Sequence, residues 1–176
     1  MNAEQLAAIR LIFSKAEALN LPLWLENGWA IDARLGRITR EHEDIDIAFP
    51  ADRRTDYVYL IAQMGFGRYQ ETDYGFLMWK NDVLLDSEPC ELIDEQYGFQ
   101  GYPTESCPMD KEGMLEGEPI RCLSWAALYY EFLVYRDEVP ETDWRPKDME
   151  SLKIIKERLS SSEQDRLDQL HAANRA

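Results

Sequence analysis

The stretch Trp24–Phe49, WLENGWAIDARLGRITREHEDIDIAF, decides how the chain is read. It parses as strand, tight turn, short helix, basic loop and strand. Asp44 and Asp46 stand two apart on the second strand, and side chains two apart on a strand project from one face. Ile45, Ile47 and Phe49 take the other face, as a core requires. Two bare carboxylates side by side repel, and one tends to keep its proton. A hard divalent cation such as Mg2+ prefers oxygen ligands and removes the conflict. Upstream, Asn27-Gly28 is a turn dipeptide ahead of a short helix over 29–35, which Gly36 ends. Backbone N–H groups of a Gly-containing turn at a helix start bind phosphate. Arg37, Arg40 and His42 follow in the loop that leads to the carboxylates. Phosphate binders beside metal binders imply a nucleoside triphosphate held as its Mg2+ complex.

Outward from this stretch, Leu6, Ile9, Ile12, Phe13, Ala16 and Leu19 form one apolar stripe and predict a helix over 3–19. Asn2 with Gln5 three residues on reads as its N-terminal cap. Pro22 ends this element, and residues 23–25 form a short buried strand. After Pro50, residues 52–64 predict a second long helix. Strands over 68–71 and 76–80 follow, and Asn81-Asp82 is a hairpin turn into a strand over 83–88. Alternation there puts Leu84, Asp86 and Glu88 on one face. If this strand lies beside the Asp44–Asp46 strand, Asp86 completes a three-carboxylate site.

From Glu91 to Pro119 the periodicity breaks down, and an ordered connection without regular elements is expected. Ser124 caps a helix to about Tyr135 that carries Glu131 inside an apolar run, where a charge needs a partner. Pro146 sits at a helix start, and Lys147 lies in its first turn. A cation is unfavourable there unless an anion is close, which favours a triphosphate contact. Ser160–Ser162 break the chain before a last helix over 163–172.

The chain has 176 residues, 45% of them hydrophobic, and no apolar run long enough for a membrane span. The N-terminus carries charges at helical spacing and no cleavable signal pattern, so cytoplasmic residence is expected. Cys90, Cys107 and Cys122 are odd in number and widely spaced, as free structural thiols would be. The net charge of −15 is unevenly spread: residues 81–144 hold 16 acidic and 3 basic side chains. Nucleic acid would demand the opposite sign, whereas a polycationic small molecule is drawn to such a surface.

A Gly-turn followed by Asp-x-Asp on a strand resembles the polymerase-β-type nucleotidyltransferase superfamily. The string GWAIDARLGRITREHEDID is similar to antibiotic nucleotidyltransferases, above all the aminoglycoside 2''-nucleotidyltransferases. DYGFL at 73–77, LLDSEP at 84–89, SW at 124–125 and YRDEVPETDW at 135–144 agree, in order, over nearly the whole chain. One departure stands out: the family has a second glycine where this chain has Asn27, a residue type that tolerates positive φ.

The resemblance implies an α/β (α+β) nucleotidyltransferase fold, with a mixed sheet flanked by helices in residues 1–95 and a helical substrate-binding domain in 96–176. It implies transfer of AMP from ATP to an aminoglycoside hydroxyl, the 2'' one, with release of pyrophosphate. Asp44 and Asp46 become ligands of two Mg2+ ions, and Asp86 a further metal ligand or the general base. Asn27, Gly28, Arg40, His42 and Lys147 become nucleotide contacts, and Tyr74, Glu88, Glu131 and Asp137 acceptor contacts. The partners are the antibiotic and the nucleotide, taken up by a monomer with no nucleic acid or membrane involved. A lincosamide acceptor is one alternative, although its single basic amine makes poor use of the acidic segment. A non-catalytic module that binds a cationic partner is another, and it would bind without ATP or Mg2+.

Overall fold

The computed structural model describes all 176 residues. Helix α1 (Asn2–Ala18) leads into β1 (Trp24–Leu25), α2 (Asn27–Leu35) and β2 (Ile45–Pro50). A 3-10 turn and α3 (Arg54–Gln63) cross to β3 (Arg68–Glu71), β4 (Phe76–Lys80) and β5 (Val83–Ile93). Two short hairpin pieces follow: β6 (Gln96–Gly98), which pairs with the end of β5, and the pair β7 (Gly113–Leu115) and β8 (Glu118–Ile120). Helices α4 (Trp125–Glu138), α5 (Pro146–Glu157) and α6 (Ser161–Arg175) complete the chain.

The main sheet runs β1-β2-β5-β4-β3 and is mixed. β2 and β5 are parallel, which requires a crossover, supplied here by α3 and the β3–β4 hairpin. In this pair Ile45 stands beside Leu85, Asp46 beside Asp86 and Ala48 beside Glu88. One face of the sheet is therefore apolar. Ile45, Ile47, Phe49 and Leu85 are fully buried on it. Phe49 stacks on Tyr57 of α3 at 4.6 Å, and the Tyr57 hydroxyl lies 3.0 Å from Ser87 Oγ. The other face carries the carboxylates.

The connection over 91–119 is more regular than its composition implied. β5 runs on past Pro89 to Ile93, and β6 and the β7–β8 hairpin lie within it. This hairpin packs on α2: a Cβ added at Gly113 would sit 2.9 Å from Ala33 Cβ and 2.8 Å from Cys122 Sγ. Leu123 N–H donates to Leu25 O, tying the second half of the chain to β1. A single apolar core of 43 residues runs through both halves.

Asn2 and Gln5 do not cap α1 as expected. Asn2 is already helical, its amide donates to Arg40 O and its Oδ1 accepts from His42 N–H. Gln5 donates to His42 O and accepts from the Trp29 indole. Both residues instead pin the basic loop 37–44 to the first helix. Ser124 and Ser160 do cap helices, and the last helix starts at Ser161, two residues earlier than the sequence placed it. The three cysteines are free and buried. No helix is long and apolar enough to cross a membrane.

Candidate active site

A cleft of about 290 Å³ opens where the start of α2, the end of the basic loop, α4 and the start of α5 converge. Asn27, Gly28, Arg40, His42, Asp44, Asp46, Glu131 and Lys147 all border it, so most of the residues singled out from sequence meet in one place. Asp86 joins them through the register, one strand over from Asp46.

The turn before α2 has the conformation that the Asn27-Gly28 pair implied. Asn27 sits at φ +48°, a left-handed position that asparagine accepts at low cost. Gly28 is required for a different reason. A Cβ there would lie 2.6 Å from both an Arg40 guanidinium nitrogen and His42 Nδ1. The missing side chain lets the basic loop close onto the first turn of α2, whose leading N–H groups have no intrahelical partner. Gly36 ends the helix at φ +69°.

His42, expected as a phosphate contact, is buried, with Nε2 2.7 Å from Asp32 Oδ2 and its ring 4.3 Å from the Trp29 ring. Asp32 also accepts from Thr39. This buried network fixes the loop, and through the loop it places Arg40 and Asp44. Lys147 is in the first turn of α5, as read, with Nζ 2.7 Å from Glu43 Oε2. Arg145, which the sequence reading passed over, also borders the cleft and caps α5 through Asp148. Its signal was available: a basic residue directly before a helix-starting proline.

The aspartates repel one another. Burial pushes Asp46 well above the ordinary carboxylate range, and Asp44 and Asp86 push it further, against the Asn27 amide and Arg40. Asp44 is raised by burial and by Glu43, with Lys147 and Arg40 opposing. Asp86 is raised by burial and by Asp44, while the Tyr74 hydroxyl, which donates to Oδ2 at 2.9 Å, favours its charged form. The turn behind Tyr74 is tight: Gly75 N–H donates to Thr72 Oγ1 and Thr72 N–H to Gly75 O. A Cβ at Gly75 would stand 1.9 Å from Ser87 O, so only glycine lets DYGFL lie this close to the Asp86 strand.

A second acidic group lies beyond the aspartates. Glu88 is pushed up to about 7 by burial and then by Asp86. Glu131, on α4, is raised well above the ordinary value by burial, then by Glu88 and Asp46. Glu26, which the sequence reading did not single out, belongs with them. It is buried and raised by that burial, then by Glu88, Glu131 and Asp46. Its signal was a charged residue directly after a fully apolar strand. Asp137, expected as an acceptor contact, faces elsewhere: His171 Nε2 is 2.9 Å and Arg175 Nη1 2.6 Å from its two oxygens.

The comparisons with known proteins agree with this geometry. A family model described as aminoglycoside-2''-adenylyltransferase matches residues 8–153. A 2''-aminoglycoside nucleotidyltransferase of Escherichia coli is 45% identical over 154 residues, 88% of this chain and 87% of that protein. The chain belongs to the aminoglycoside-2''-adenylyltransferase family. It is accordingly a nucleotidyltransferase. The crystal structure of ANT(2'')-Ia in complex with adenylyl-2''-tobramycin superposes with a TM-score of 0.89 at 43% identity, covering 98% of this chain and 97% of that one. The lincomycin-bound lincosamide adenylyltransferase LnuA shares the fold at a TM-score of 0.64 and 20% identity, over 84% of this chain and 94% of that one.

A nucleotide co-substrate and a divalent metal come with the family. The donor set fits a metal that arrives with its nucleotide. No three His, Cys, Asp or Glu side chains are drawn into a preformed cage. Mg2+ does not need one, because it binds through one or two carboxylates plus substrate phosphates and keeps several waters. The mutual repulsion of Asp44, Asp46 and Asp86 is the charge such an ion would relieve.

Proposed function

We propose that the protein transfers AMP from ATP to the 2'' hydroxyl of an aminoglycoside. The parallel register of Asp46 with Asp86, with Glu88 two residues further along the same strand face, carries this reading. It sets the metal-binding carboxylates, the base and the first acceptor carboxylate in a line along one sheet face.

Asp44, Asp46 and Asp86 would hold two Mg2+ ions together with the triphosphate. When bound, these supply charge neutralisation and in-line alignment of the attacking and leaving oxygens. The first turn of α2, Arg40 and Lys147 hold the phosphates, and Lys147 exchanges Glu43 for them. Tyr74 occupies Asp86 Oδ2 and leaves the other oxygen free to take the proton of the acceptor hydroxyl. The hydroxyl oxygen forms its bond to the α-phosphorus, the bond from that phosphorus to the bridging oxygen breaks, and pyrophosphate leaves. Glu88 and Glu131 bind ammonium groups of the acceptor. Residues 1–95 thus supply most of the nucleotide site and Glu88, while 96–176 add Lys147 to the phosphates and Glu131 to the acceptor side. The enzyme acts as a cytoplasmic monomer.

The test is mass spectrometry of tobramycin and of lincomycin after incubation with the protein, ATP and Mg2+. The expected result is tobramycin carrying one adenylate and unmodified lincomycin, with pyrophosphate released. Adenylylated lincomycin alone would move the enzyme to the lincosamide class. Neither product, with tobramycin still bound, would make it a binding module.

A further inference from the structure

Glu26 follows β1 directly. β1 and β2 are antiparallel, with Trp24 opposite Ala48 and Leu25 opposite Ile47, and Glu26 N–H donates to Asp46 O at 3.0 Å. The pairing therefore continues through Glu26 and turns its side chain to the carboxylate face of the sheet. It stands at the N-terminal boundary of α2 but makes no side-chain cap there. It is only 3% exposed, and its Oε1 has no hydrogen-bond partner. The neighbouring charges acting on it are Glu88, Glu131 and Asp46, all of its own sign. None of Glu26, Glu88 and Glu131 enters an ion pair.

A buried carboxylate oxygen is almost always satisfied, because leaving it unpaired is costly. Glu26, buried with Oε1 unpartnered, acts together with Glu88 and Glu131 from β1, β5 and α4, and what this group lacks is a cation with several N–H donors. Asp46 stands opposite Glu26 across the β1–β2 pair, so this group adjoins the aspartates, and Glu88 and Glu131 extend it toward the acceptor side.

We propose that Glu26 is a specificity residue for the acceptor, completing with Glu88 and Glu131 a recess that takes one protonated amine. This rests on the reading of the acceptor as a polyamine. The ammonium reaches the recess past Glu131, which borders the open cleft. The amine donates to Glu26 Oε1 and to the two other carboxylates, and no covalent step is involved. Acceptors that carry a hydroxyl where this amine belongs lose a charge-assisted contact and are discriminated against.

The experiment is calorimetric titration of wild type and Glu26→Gln with tobramycin, and with analogues in which one amine at a time is replaced by hydroxyl. It is run without nucleotide, so it does not depend on turnover. Glu26→Gln keeps the shape and removes the charge, and its melting temperature confirms the fold. The expected result is a tobramycin Kd raised about 10- to 100-fold, as for a hydrogen bond to a charged group. One analogue, and only one, should bind wild type and variant alike, because its missing amine is the Glu26 partner. In a separate titration, the Kd of a non-hydrolysable Mg-ATP analogue should move less than twofold. Equal affinity of wild type and variant for every acceptor would overturn the assignment and leave Glu26 a buried packing residue. Parallel weakening of every acceptor, with no analogue insensitive, would also overturn it. Failure of the transferase reading would appear separately, as a lack of adenylylated product from wild type.

Discussion

Arg40 acts on both Asp44 and Asp46, and Lys147 on Asp44, whereas no cation acts on Glu26, Glu88 or Glu131. Both groups contain carboxylates raised by burial, and Asp44, Asp46 and Glu131 line the same cleft. The interleaved cations at the first group suit a ligand that is itself anionic and carries metal, because phosphate needs the arginine and lysine and the metal needs the aspartates. The second group suits a ligand that brings only positive charge. Composition shows the acidity of residues 81–144, but it cannot show this division, which depends on which strands are neighbours.

The largest expected effect tests the point where the two groups meet. Asp86→Asn keeps the size and removes the proposed base, so kcat should fall about 10²–10⁴-fold while Mg-nucleotide still binds. Turnover close to wild type would move the proton acceptor elsewhere, with Glu88 next in line. Gly28→Ala attacks the phosphate side through packing. The added methyl meets the buried His42 ring, so stability should drop by about 1–3 kcal/mol in a denaturant melt, with a raised KM for ATP. An unchanged melt would mean that the loop yields freely, and the tight loop–helix contact would lose its role.

The acceptor side has its own pH signature. Glu88 ionises near 4.5 when unfolded but holds its proton to about 7 in the fold, and Glu26 and Glu131 shift the same way. The folded state thus binds more protons than the unfolded one between these values. Its stabilisation is complete below 4.5 and is lost as pH rises through about 7. The melting temperature of the ligand-free protein should therefore fall by several degrees from pH 5 to 7.5. Glu88→Gln should flatten that slope. A melting temperature that rises over this range would contradict the burial of unpaired acids. Least is expected of Asp137→Asn. Its contacts with His171 and Arg175 lie outside the cleft, so acceptor KM should hold within twofold and stability within about 1 kcal/mol. A tenfold rise in KM would return Asp137 to the acceptor site.

Local patterns in the sequence carried the aspartate side. Asp44 and Asp46 are two apart, Asn27-Gly28 precedes a helix, and Lys147 follows a helix-starting proline, so each is legible within a few residues. His42 borders the cleft, but its burial is not legible locally, because Asn2 and Gln5 of α1 hold its backbone and Asp32 of α2 its ring. Glu26 was missed for the same reason. Nothing beside it in sequence says that Glu88 and Glu131 will act on it, since that follows from β1 joining β2, β2 joining β5, and α4 bringing Glu131 to the same cleft as Asp46. The hairpins within 91–119 escaped because Gly, Pro and acidic residues mask strands of only three residues.

The division of the cleft is tested most directly by a crossed titration. Asp46→Asn and Glu131→Gln are each titrated with a non-hydrolysable Mg-ATP analogue and, separately, with tobramycin. Asp46→Asn should lose about tenfold or more in affinity for the Mg-nucleotide and keep that for tobramycin within a few-fold. Glu131→Gln should show the reverse. If either variant weakens both ligands alike, the carboxylates form one undivided acidic surface, and the separation of a metal-nucleotide end from a polycation end is wrong.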